Sequence, residues 1–192
     1  AVAIGFEAGL GVIATGLGWL TGWPENWTLD PSWRALTIGL GISTPMIALF
    51  FILLRWPLPP LKQITDLLDE FFLPLLRPCT VLDLALISIV AGFGEELLFR
   101  GFLQSMFVDW LGAIGGCLLA GILFGLAHCV TFTYFLVATG IGVYLGAVWL
   151  VTENLLVPIT AHAAYDFVAL IYYLKVRTPS GSMDYSEDST IA

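Results

Sequence analysis

Charge is what this chain has least of. Asp, Glu, Lys and Arg make up 11% of its 192 residues, against about a quarter in ordinary soluble domains. Only seven of these are Lys or Arg, and the formal net charge is −8. A nucleic-acid partner is therefore excluded, because phosphate binding needs a clustered basic face. Cysteine occurs three times, which forms no even disulfide framework. Cys117 and Cys129 read as sharing one helix about 18 Å apart, too far for a bridge. All three cysteines read as small buried apolar residues. What stands in place of charge is apolar side chain, 58% of the residues, with a mean hydropathy of +0.92. A water-soluble fold of this length cannot hide so much apolar surface, so the chain reads as an integral membrane protein.

A helical span takes about 20 mainly apolar residues, and in lipid each backbone group must be bonded internally. Such stretches cover 3–22, 35–55, 81–107, 111–129, 133–152 and 155–174, which predicts an all-α polytopic bundle of about six transmembrane helices. The last three lie so close together that only tight turns can join them. Between the second and third spans, Leu61, Ile64, Leu67, Leu68, Phe71, Phe72 and Leu75 recur at helical spacing opposite Lys62, Asp66, Asp69 and Glu70. That pattern fits an amphipathic helix lying in the interface, as a connector rather than a substrate gate. Residues 1–176 read as a single transmembrane domain, and 177–192 as a polar, acidic tail.

Arg55, Lys62, Arg77, Lys175 and Arg177 fall on one side of a six-span topology and Arg34 on the other. The bias puts both termini on the cytoplasmic or equivalent side. Trp19, Trp23, Trp56, Trp110 and Trp149 fall near span ends, as an aromatic belt requires. Gly5/Gly9, Gly121/Gly125 and Gly142/Gly146 have the spacing of close helix contacts. No internal repeat points to a transporter built from inverted halves.

The informative residues are the ionisable ones inside the spans: Glu7, Asp83, Glu95, Glu96, Arg100, His128, His162 and Asp166. Each costs several kcal/mol in lipid, roughly, unless paired or solvated, and both histidines of the chain are among them. A lone intramembrane His is as often a simple interhelical hydrogen bonder; two of them with a Glu pair are not. Glu96 and Arg100 are i,i+4 and can form a salt bridge, while Glu95 points elsewhere and stays available for chemistry. His162 and Asp166 are also i,i+4, so a carboxylate can hold the imidazole in one tautomer. Gly92 and Gly94 thin the helix just before the pair and are read as admitting water or substrate. Glu7 and Asp83 have no partner that the sequence assigns.

Such a set can activate water in two ways. Glu95 acts as general base with His128 positioning the water, or His128, His162 and a Glu bind Zn²⁺ with an open water position. HExxH, the signature of common zinc proteases, is absent. Intramembrane Glu and His also serve proton relays, the strongest competitor from another class.

Glu95-Glu96-x-x-x-Arg100, Phe124-x-x-x-His128 and His162-x-x-x-Asp166, in this order and each on its own span, resemble the three motifs of the CAAX-protease and bacteriocin-processing (CPBP, or Abi) intramembrane proteases. The resemblance covers about residues 80–175. It implies a polar site within the bilayer in which Glu95 activates water with His128, Glu96 pairs with Arg100, and His162 and position 166 support the oxyanion. It implies no certain cofactor. Members have been called metalloproteases and also glutamate-dependent enzymes; zinc, if used, would fall to Glu95, His128 and His162. The glutamate type is preferred, because Glu95 and its partners suffice without an ion. Many relatives carry Asn at position 166. An ionised Asp166 only accepts hydrogen bonds and would orient His162, whereas a protonated Asp166 could donate to the oxyanion directly.

The expected function is an intramembrane endopeptidase acting on membrane-associated or lipidated proteins. The alternative is a non-catalytic membrane binding or assembly protein, a partner in a membrane-protein complex, that keeps the site. A prenylated substrate is not implied by the residues themselves.

Overall fold

Without water to bond its amides, a chain this apolar must satisfy its backbone within helices, and among the described residues it forms helices and one isolated bridge between Thr28 and Asn154. The computed structural model describes residues 2–22, 28–56 and 58–176. Trp23 and the tail 177–192 lie outside them.

The helices are α1 (Val2–Thr21), α2 (Trp33–Arg55), α3 (Pro59–Leu67), α4 (Leu73–Leu76), α5 (Val81–Glu96), α6 (Ser105–Ala127), α7 (Phe132–Thr152) and α8 (Leu156–Ile171). Wider π-helical turns at Leu68–Phe72 and Leu97–Gln104 join α3 to α4 and α5 to α6, and another at Tyr172–Val176 extends α8. Five helical runs are long and apolar enough to cross a membrane, one of them the 47-residue stretch Val81–Ala127. That run is broken at Gly112, whose φ of 74° suits a residue without a side chain. Beyond it the chain folds back, so that a Cβ on Gly116 would come within 2.5 Å of the Val108 nitrogen. The five runs thus contain six helical legs, with the reversal at the start of the expected fourth span, 111–129.

Helix ends are set locally. Ser32 caps α2 by accepting from the Ala35 amide, and Thr131 caps α7 by accepting from Tyr134. Thr80 and Asp83 form a reciprocal box at the start of α5: the Thr80 amide donates to Asp83 Oδ2 at 2.8 Å and the Asp83 amide to Thr80 Oγ1 at 3.2 Å. Asp83, left without a partner by the sequence, is thus a cap. Glu153 takes a left-handed conformation to end α7. Asn154 then receives the Leu156 amide and exchanges hydrogen bonds with Asp30. Thr28 donates to the Glu153 carbonyl, which ties the segment before α2 to the turn before α8.

Apolar side chains cover the outside of the bundle, and a group of polar ones is buried within its largely apolar core. Trp19, Trp33, Ile114 and Val151 are each more than three-quarters exposed, while Glu96, Arg100, Gln104 and His162 are buried. The amphipathic segment α3–α4 forms as expected, and the Tyr173 hydroxyl donates to Thr65 O at 2.9 Å and Asp69 Oδ1 at 2.8 Å, fixing it to the end of α8. Several expectations change. Cys129 is exposed beyond the end of α6, and Cys79 is only partly buried; Cys117 alone is buried. Trp149 packs inward against the cluster of Ala14, Leu97, Leu155 and Ile159 rather than joining a belt. Gly5 and Gly9 face open space. Gly92 and Gly94, expected to leave room for water or substrate, are instead where helices touch: a Cβ on Gly92 would meet the Ala163 amide at 2.9 Å, and one on Gly94 would overlap the Glu7 carbonyl.

A methyl group at position 94 has no flexible neighbour to displace, so Gly94→Ala is expected to lower thermal stability in detergent by about 1–3 kcal/mol, the usual cost of overpacking. Gly5→Ala, measured by the same thermal unfolding, should leave stability unchanged or slightly raised, because it adds helix propensity in open space.

Candidate active site

Glu95 and Glu96 end α5, and the π-helical turns begin at the next residue. Such turns are uncommon and concentrate at functional sites. Here they carry Arg100 and Gln104 onto α7. Arg100 Nη2 donates to Gly142 O at 2.8 Å and Gln104 Nε2 to Gly146 O at 3.0 Å. Gly146 admits the Gln104 side chain, since a Cβ there would sit 2.5 Å from Gln104 Oε1, while a Cβ on Gly142 would meet Gly121 O of α6 at 3.0 Å. Gln104 was not among the residues that the sequence singled out. Its signal was its place one turn beyond Arg100, a polar residue in an apolar run.

Arg100 Nη1 lies 2.7 Å from Glu96 Oε1, both side chains essentially without solvent exposure. The same oxygen takes His162 Nδ1 at 2.8 Å, while Glu96 Oε2 has no hydrogen-bond partner. His162 Nε2 faces Asp166 Oδ2 at 3.5 Å. The closer carboxylate, and the one that orients the imidazole, is therefore Glu96 on a different helix, not Asp166 on its own. The i,i+4 spacing on α8 signalled only the weaker contact.

His128 follows the end of α6, its Nδ1 2.8 Å from the Phe124 carbonyl. A carbonyl only accepts, so Nδ1 carries the proton and Nε2 of the neutral ring presents a lone pair. That Nε2 lies 3.6 Å from Glu95 Oε2, too far for a direct hydrogen bond. Glu95 Oε2 is buried without a partner. A water seated beside the gap, at about 2.8 Å from each atom, would meet both.

Phe124 holds this arrangement together in a way that its motif spacing alone does not reveal. Its ring stacks on His128 at 4.4 Å, meets His162 edge-on at 5.9 Å, and carries the Arg100 guanidinium 4.7 Å above its centre. Phe99 packs against it at 5.0 Å.

Glu95, His128, His162 and Asp166 line one end of a cavity of about 680 Å³, together with Glu7 from α1. The rest of the cavity is mainly apolar, running between α2, the α3–α4 segment and α8, past Phe50, Leu61, Leu68, Tyr165 and Tyr172. Six site residues expected from the sequence thus meet in one place: Glu96 and Arg100 form the buried support, and Glu95, His128, His162 and Asp166 face the cavity.

Among the described residues no three His, Cys, Asp or Glu side chains converge on a point that could hold a metal ion. The Nδ1 atoms of His162 and His128 are engaged by Glu96 and by the Phe124 carbonyl, so their Nε2 atoms are the ones that face Asp166 and Glu95.

The chain matches no curated protein and no solved structure. The family model described as Type II CAAX prenyl endopeptidase Rce1-like matches residues 77–168. That interval contains α5, the π-helical turns, α6, α7 and most of α8, with all three motifs. Residues 77–168, just under half of the chain, thus match the CPBP, or CAAX-protease, family that the three motifs resemble.

Proposed function

We propose that this protein is an intramembrane endopeptidase of the glutamate type, which hydrolyses peptide bonds in membrane-associated or lipidated proteins. The observation that carries the reading is the pair Glu95 Oε2 and His128 Nε2, 3.6 Å apart at the polar end of an otherwise apolar cavity. Glu95 takes a proton from water as its oxygen attacks the scissile carbonyl, and His128 accepts the water's second hydrogen bond and so aims it. When the C–N bond breaks, Glu95 returns the proton to the leaving amine. His162, held by Glu96, stands across from these two; in its protonated form it can donate to the oxyanion through Nε2, the role that Asp166 as a carboxylate cannot fill. The poor convergence of metal donors supports a reaction without zinc. The apolar lining supports a substrate that brings a lipid chain or an apolar segment with it.

Residues 1–176 form one transmembrane unit in this reading, with both termini on the cytoplasmic-equivalent side, supported by the distribution of Lys and Arg.

The test is cleavage of lipidated peptides and of host membrane proteins by the purified protein in proteoliposomes, read by mass spectrometry with and without a chelator. Glu95→Gln is expected to lower kcat by about 10²–10⁴-fold and His128→Ala by a similar factor, with no effect of the chelator on the wild type. An inactive, well-folded wild type would overturn the reading. The two adjacent glutamates should also separate by stability. Arg100→Met takes the permanent charge away from a buried pair and leaves Glu96 with His162 alone, so thermal unfolding should show a loss of about 3–5 kcal/mol, whereas Glu95→Gln should unfold close to the wild type.

A further inference from the structure

Glu7 is the only ionisable residue of α1 and lies outside the matched interval 77–168. Its carboxyl nevertheless belongs to the same polar cluster. α1 and α5 approach most closely at Gly94, against the Glu7 carbonyl, and one turn on a Cβ built on Gly11 would lie 3.5 Å from the Gly94 Cα. Glu7 is thereby brought level with Glu95, the next residue along α5. It lines the same cavity as Glu95, His162 and Asp166. Its side chain is within hydrogen-bonding reach of Glu95, and the charged groups that act on it are Glu95, Asp166 and His162.

Glu7 Oε2 and Glu95 Oε2 are both buried and without a hydrogen-bond donor. Two ionised carboxylates offer each other only lone pairs, so contact between them becomes a bond only when one carries a proton. The surroundings point the same way. Glu7 shares the cavity with Glu95 from α5, His128 beyond α6, and His162 and Asp166 from α8, and behind His162 lies the Glu96–Arg100 pair. Four carboxyls thus share one guanidinium and two imidazoles. Even with both rings protonated, one negative charge is in excess. Like charges this close in a poorly hydrated site do not both ionise.

We propose that Glu7 is a positioning residue for Glu95: the two carboxyls share one proton, and this bond holds Glu95 with an oxygen turned to the water beside His128. The inference rests on the protease reading for its consequence, although the shared proton itself does not. Before reaction the pair carries one negative charge. As the water oxygen bonds to the carbonyl carbon, its proton passes to Glu95, the pair becomes neutral, and the charge moves to the oxyanion. When the C–N bond breaks, one proton leaves the pair for the amine nitrogen and the single charge returns. No other reactant is needed.

Infrared spectroscopy of the purified full chain at neutral pH reads the shared proton directly, as the C=O stretch of a buried carboxylic acid. The band is expected in the wild type and should be lost in both Glu7→Gln and Glu95→Gln, because an amide then donates to the remaining carboxylate. A band unchanged by either substitution, or no such band in the wild type, would overturn the proposal. Peptide cleavage gives the second readout. Glu7→Leu, which keeps bulk but cannot donate, should lower kcat by about 100-fold at unchanged KM, and Glu7→Gln by only about tenfold, in line with the cost of misplacing a reacting group. Equal losses in the two variants would mean that Glu7 only packs. If the wild type cleaves nothing while the band depends on both glutamates, the protease reading fails and the pair stands. If the wild type cleaves peptides while the band ignores both substitutions, the pair fails and the protease reading stands.

Discussion

Glu96 and Arg100 meet at 2.7 Å with almost no access to solvent, and a buried ion pair is tolerated only when further hydrogen bonds offset its desolvation. Arg100 finds the Gly142 carbonyl on α7, and Glu96 finds His162 on α8. Those two bonds fix α5, α7 and α8 at one level in the bundle. Phe124 brings in the fourth partner, since its ring touches Arg100, His128 and His162 together. Glu95 and His128, the pair proposed to act on water, are thus placed by these buried contacts.

The adjacent glutamates illustrate how environment divides one residue type between two tasks. Glu96 is enclosed by a guanidinium and an imidazole, so its charge is spent on structure. Glu95, one residue earlier and turned toward the cavity, keeps an oxygen with no protein partner. A helical rotation of 100° between neighbours is enough to separate a buried ion pair from a carboxylate that lines the cavity.

Much of this was legible in the sequence because the governing signals are local. Span length, the Glu96–Arg100 spacing and the amphipathic 57–78 stretch all follow from a period of 3.6 and a count of apolar residues. What the sequence hid depends on which helices become neighbours. The carboxylate beside His162 Nδ1 comes from 66 positions away, and spacing along α8 suggested Asp166 instead. Gly92 and Gly94 read as openings because a missing side chain means space in an isolated helix; between two helices it means contact. Glu7 drew attention as an acid in an apolar span, but only the packing of α1 on α5 shows where it points. Trp149 was misread for the same reason: proximity to a helix end does not say which way the ring faces.

The one-turn separation of Glu96 and Arg100 also bears on how the chain is made. An arginine near the centre of a lone helix costs about 2.5–3.5 kcal/mol to enter the bilayer. Here the compensating carboxylate is on the same segment and is synthesised four residues earlier. The third span thus carries its own counter-ion into lipid, before α7 or α8 has left the ribosome. The bond to His162 must wait for the last helix, so a partly translated chain holds the Glu96–Arg100 spacing but no completed site.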